Sequence, residues 1–170
     1  MNYLFCGGRF HFDYLKEGYL SQAADDYRVS FLGDVRKLLR GNGAVRLSEY
    51  LTYIGPFYFE SDGMIDKEIV KKEMRQIQRC THAIFLLEDG CCPGTVAEII
   101  YAATHQKRIS IFYIRDEKET ESELRSPCWY PMLMAEILGD LEYEAVSCRD
   151  MGDAREKILR KVEKLSGGEV

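Results

Sequence analysis

Short apolar runs alternate with stretches of helical period along this chain, and that alternation constrains its fold more than any other feature. The run at residues 82–88, His-Ala-Ile-Phe-Leu-Leu-Glu, is apolar without a polar face, as a strand covered on both sides requires. Similar runs stand at 2–6, 44–54, 108–114 and 143–147. Between them, residues 28–40 carry Val29, Leu32, Val35, Leu38 and Leu39 at helical spacing. Helices are also predicted over 64–79, 95–105, 130–138 and 151–165. Strands separated by helices imply right-handed crossovers and a parallel sheet, hence an α/β protein. With 170 residues and no repeat, the whole chain, 1–170, reads as one domain with an ordinary core. Residues 10–27 and 115–126 read as irregular, with 10–27 either a loop or an irregular helix.

Composition narrows the function classes. A net charge of -5 provides no global field for nucleic acid or anionic lipid. No apolar run approaches the roughly 20 residues of a membrane helix. The first residues lack the basic start of a signal peptide, so a cytoplasmic protein is expected. None of the six cysteines forms a C-x-x-C pair and only three histidines are present, so neither a metal site nor a cofactor is expected.

Open parallel sheets bind ligands beyond the carboxyl ends of their strands. Four segments could carry chemistry, three of them at that edge. Residues 89–98 run Asp-Gly-Cys-Cys-Pro-Gly-Thr-Val-Ala-Glu into a helix. There Thr95 and Glu98 read either as a capping box or as a carboxylate free to attack an anomeric carbon. On the preceding helix Glu73 fills a row of Ile65, Ile69 and Ile77 spaced by four. It is either a rim carboxylate or a partly buried acid suited to proton work. Cys6-Gly7-Gly8-Arg9 follows the first strand, where glycines let backbone amides approach a ligand and Arg9 could hold a phosphate, or simply make a turn. Gly55-Pro56-Phe57-Tyr58 makes a rigid turn flanked by aromatics that are either core or a wall for a base.

Taken in order, these residues resemble the nucleoside 2-deoxyribosyltransferase family. The resemblance rests on Tyr53-Ile54-Gly55-Pro56-Phe57, on Ile77 to Thr81 entering the apolar strand, and on Gly94-Thr95 with Glu98, Tyr101-Ala102 and Lys107. Trp129-Tyr130-Pro131 with Met134-Ala135 adds to it. It implies a flavodoxin-like or Rossmann-like three-layer sandwich, a five-stranded parallel sheet of order 2-1-3-4-5, and a homodimer or higher homo-oligomer. It also implies cleavage of the N-glycosidic bond of a 2'-deoxynucleoside through a covalent glycosyl-glutamate, with the sugar passed to another base or to water. Glu98 takes the nucleophile's place and Glu73 that of its acidic partner. Cys6, Gly7, Gly8, Arg9, Pro56, Phe57, Tyr58, Asp89, Gly94, Thr95, Trp129 and Tyr130 are the expected substrate contacts. The expected partner is a small nucleoside or nucleotide, with no nucleic acid and no membrane. A close variant is a nucleoside 5'-monophosphate N-glycosidase. Where the family carries an acid before Gly-Thr, an aspartate before the central strand and a glycine after the glutamate, this chain has Cys91 or Cys92, Thr81 and Ile100. The missing acid and Ile100 favour a different class, a non-catalytic nucleotide sensor on the same scaffold.

Overall fold

A computed structural model describes residues 1–8, 25–40, 43–57, 66–88, 92–114, 129–139 and 142–167. The strands are β1 (Asn2–Gly8), β2 (Val45–Arg46), β3 (Leu51–Gly55), β4 (His82–Leu87), β5 (Arg108–Ile114) and β6 (Tyr143–Cys148). The helices are α1 (Val29–Leu32), α2 (Val35–Arg40), α3 (Asp66–Arg79), α4 (Pro93–Thr104), α5 (Trp129–Leu138) and α6 (Met151–Ser166).

The sheet has six strands in the order β2-β3-β1-β4-β5-β6, which corrects the expected five. The additional strand is β2, antiparallel to β3 and two residues long, too short to stand out from its surroundings in an apolar pattern. All other pairings are parallel. One helix predicted over 28–40 is two, because Gly33 takes a left-handed conformation (φ 72°) and Asp34 Oδ1 accepts from Arg36 N at 2.8 Å to restart the turn.

Alternation along the strands sends side chains to two cores. On one face Leu4, Cys6, Tyr53, Ile84 and Phe112 pack against α1, α2 and α6 through Leu32, Leu38, Ile158 and Val162. On the other, Phe5, Ile54, Phe85, Leu87 and Ile111 pack against α3, α4 and α5 through Ile77, Ile99, Ala103 and Ala135. The result is helix, sheet and helix in three layers. Each fully buried large apolar side chain contributes about 1.5–3 kcal/mol.

The end of the sheet away from the carboxyl edge is closed by polar pairs. Thr81 Oγ1 accepts from Tyr3 N at 2.9 Å and lies 2.9 Å from His82 Nδ1. Arg108 Nη1 is 3.3 Å from His82 Nε2. Burial, with Arg108 alongside, pushes the His82 imidazole down to about 4, so it stays neutral near pH 7. At the start of α6, Asp150 Oδ1 accepts from Asp153 N at 2.8 Å. Asp150→Ala is therefore expected to cost about 1 kcal/mol, read as a lowered urea midpoint with unchanged slope.

Candidate active site

Glu98 reaches the sheet because of where α4 begins. Pro93 occupies the first turn, and Cys92 is the N-cap residue, with no cap hydrogen bond from its side chain. Thr95 thus lies inside the helix and is buried, which rules out the capping box. Buried Thr95, Ile99, Ala102 and Ala103 define the inward face, and Glu98 lies between Thr95 and Ala102 at spacings of three and four. Its carboxylate makes no hydrogen bond to any described residue, its own helix's first amides included.

The carboxylate lies over the end of β1. A Cβ added to Gly7 would stand 2.6 Å from Glu98 Oε2 and 2.6 Å from Phe85 Cδ1, so only glycine admits both the acid and the ring. Half-buried there, Glu98 is pushed up to about 8, first by burial and then by Glu73, with Arg28 opposing. Glu73, on the inward side of α3 and half-buried, is also raised by burial, against Arg28. Of the two sequence readings, the partly buried acid describes it. The Glu73 charge is thus the second cause of the raised Glu98 value, and the Arg28 guanidinium acts on both carboxyl groups.

Three residues outside the sequence-predicted set organise this centre. Arg28 is fully buried, and its Nε and Nη2 donate to Asp26 Oδ1 and Oδ2, each at 2.8 Å. Its Nη1 donates to the Cys6 carbonyl at 3.1 Å, and Tyr27 Oη donates to the Gly7 carbonyl at 2.8 Å. The segment 26–28 thus clamps the end of β1 and sets one guanidinium near both glutamates. An Asp-Tyr-Arg triplet opening a helical stretch is a weak sequence signal, because the fold alone brings it under Gly7.

The other predicted site residues separate. Gly8 is buried beside Gly7 at the same strand end. Cys6 and Phe57 belong to the opposite core. Cys6 has a thiol pushed well up by burial and meets Arg28 only through its carbonyl. The Phe57 ring packs edge-on to Tyr53 at 5.1 Å, whose hydroxyl donates to the Pro56 carbonyl at 2.5 Å, so the rings of Tyr53 and Phe57 belong to the core. Gly94 is exposed and a Cβ there would meet nothing within 4 Å. Tyr130 is 60% exposed on α5. Arg9, Tyr58 and Asp89 lie outside the described residues, as does the side chain of Trp129. No described helix is long and apolar enough to cross a membrane.

No family model and no curated protein matches the chain. Among solved structures it is similar to the CMP N-glycosidase BcmB of Clostridium botulinum, at 12% identity and a TM-score of 0.51, covering 92% of this chain and 96% of that one. That likeness supports a related α/β fold. Translation elongation factor SelB of Methanococcus maripaludis, bound to a GTP analogue, aligns at 14% identity over 98% of this chain and 34% of its own. Its TM-score of 0.49 carries no argument.

Proposed function

We propose that this protein cleaves the N-glycosidic bond of a (2'-deoxy)nucleoside or its 5'-monophosphate, with Glu98 as the nucleophile. The observation that carries the reading is the Glu98 carboxyl group. It is held over Gly7, half-buried, unspent on its own helix, and coupled to a second acid. Glycosyl transfer through a covalent intermediate needs a proton for the departing base and a carboxylate to bond the sugar, and Glu98 supplies both as it ionises.

In this mechanism the pair works with one proton, held by Glu98, whose value of about 8 keeps it protonated at neutral pH. That proton passes to the departing base while a Glu98 oxygen bonds the anomeric carbon, so the base leaves neutral and a glycosyl ester forms. Water, or a second base, then attacks the same carbon. Glu73 takes its proton, the ester opens, and the proton returns to Glu98. Arg28 limits how far both acids rise, which keeps Glu98 able to ionise within the reaction. Release to water is the simpler outcome. Similarity in fold to a CMP N-glycosidase supports the monophosphate as substrate. The proposed homo-oligomer has an apolar face available on α5, where Tyr130, Leu133 and Ile137 are 60%, 47% and 78% exposed at helical spacing.

The reading is tested by supplying a deoxynucleoside or its 5'-monophosphate, with and without acceptor base, and measuring free base. Base released from the monophosphate alone supports the hydrolase form, and base exchange supports the transferase. No base from either substrate, with binding retained, leaves the non-catalytic sensor. The singly protonated pair also predicts a bell-shaped dependence of kcat/KM on pH. The alkaline limb should fall through about 8, where Glu98 loses its proton. The acid limb should lie above the ordinary carboxylate value of 4.5, because Glu73 is raised as well.

A further inference from the structure

One buried polar atom beside this centre has no partner. Gln76 stands one turn after Glu73 on α3 and is only 8% exposed. Its Oε1 is buried and accepts no hydrogen bond. Buried acceptors left unmade weaken a fold, so they are few and call for an explanation.

The carboxamide lies on a second glycine. A Cβ added to Gly55, at the end of β3, would stand 2.5 Å from Gln76 Cδ, 2.5 Å from Nε2 and 2.6 Å from Oε1. Near-equal distances to three atoms of one plane mean that the amide faces that point. Gly55 also has φ +139°, a conformation that side-chain-bearing residues rarely take. Two neighbouring strands therefore end alike. Gly7 on β1 admits a carboxyl group from α4, and Gly55 on β3 admits a carboxamide from α3.

The register pairs Gly55 with Phe5, which places Gly7 one strand across and two residues on. Strand spacing and rise make that roughly 8 Å. That is the separation of the two glycine Cα atoms, and it brings the Glu98 carboxyl and the Gln76 carboxamide to one edge of the sheet on adjoining strands. A carboxamide pairs well with an amino donor beside a ring-nitrogen acceptor, the edge shown by adenine and cytosine.

Building on the function proposed above, we infer that Gln76 is a specificity-determining residue whose carboxamide oxygen takes an N–H from an amino-bearing base. Its unmet acceptor in the free protein is the half of a hydrogen bond that the ligand completes.

The test uses the full chain in a Glu98→Gln background, so that no sugar–base bond breaks, with binding of CMP and UMP measured by calorimetry. CMP is expected to bind at least about tenfold more tightly than UMP, a gap that an unpaired polar group readily supplies. Gln76→Met removes the unmet acceptor at similar volume. It should melt no lower than its parent while the CMP:UMP ratio collapses to within about threefold. Gln76→Glu keeps an acceptor in place and should retain the preference for CMP. A ratio unchanged in Gln76→Met overturns the inference, as does its loss in Gln76→Glu, equal binding of the two nucleotides by the parent, or no binding of either. Base release by the Glu98 protein with an unchanged ratio overturns this inference alone. A collapsed ratio without base release overturns the catalytic reading and leaves this one standing.

Discussion

Glu98→Gln is expected to abolish base release, lowering turnover by about a thousandfold or more, because the carboxylate that bonds the sugar is gone. Intact-mass measurement should show a glycosyl adduct on the parent protein during turnover and none on the variant. The same substitution should raise stability, and the sign follows from where the acid titrates. Glu98 has a folded-state value raised from 4.5 to about 8, so the folded state holds the proton more tightly than the unfolded state does. Its favourable contribution is complete below about 4.5 and is lost progressively as pH rises to about 8. Glutamine does not titrate. At pH 8.5 the variant should therefore be more stable than its parent by about 2–4 kcal/mol. The gap should close as pH is lowered toward 4.5. Thermal melts across that range read it directly. A gap that did not change with pH would mean that Glu98 is not held protonated by its surroundings.

Gly7→Ala is expected to damage the site almost as severely by a different route. The added carbon would lie 2.6 Å from Glu98 Oε2 and 2.6–2.7 Å from two Phe85 ring atoms, distances that require something to move. Phe85 is fully buried against Phe5, at 6.1 Å between ring centroids, and cannot yield cheaply. The carboxylate moves instead, and a displacement of about 1 Å at a reacting group costs on the order of a hundredfold in kcat. Overpacking should also lower stability by about 1–3 kcal/mol. Together, a reduced kcat and a lowered melting temperature distinguish this variant from Glu98→Gln, which loses activity and gains stability.

How much of this was legible in sequence depended on how local each cause is. Buried strands such as β4 announce themselves because both faces are covered and every position is apolar. Helices α3, α4 and α6 show their inward faces through spacing alone. Glu73 is legible as an inward carboxylate for the same reason, and Glu98 as a candidate through its place just after Gly94-Thr95 at a helix start. The errors have local causes too. Pro93 starts α4 two residues before Thr95, so a capping reading built on Thr95 fails. Gly33 breaks one periodic stretch into two helices without disturbing its period. Cys6 alternates with Gly7 along β1 and so faces the opposite core, which the period of two contains but a motif reading overlooks. What sequence does not carry is the meeting of distant pieces. Arg28 under Gly7 and Gln76 on Gly55 depend on crossovers that bring α1 and α3 to adjoining strand ends.

His82, at the other end of the sheet, bears on the conditions under which the protein keeps its shape. Its folded-state value is lowered from 6.5 to about 4, so acid favours the unfolded chain between those limits. Glu98 favours the unfolded chain between 4.5 and about 8 as alkali is added. The two slopes oppose each other only where they overlap, between pH 4.5 and 6.5. Resistance to denaturation should therefore peak in mildly acidic solution. Buffers that preserve the protein longest would be more acidic than those toward the upper end of its working range.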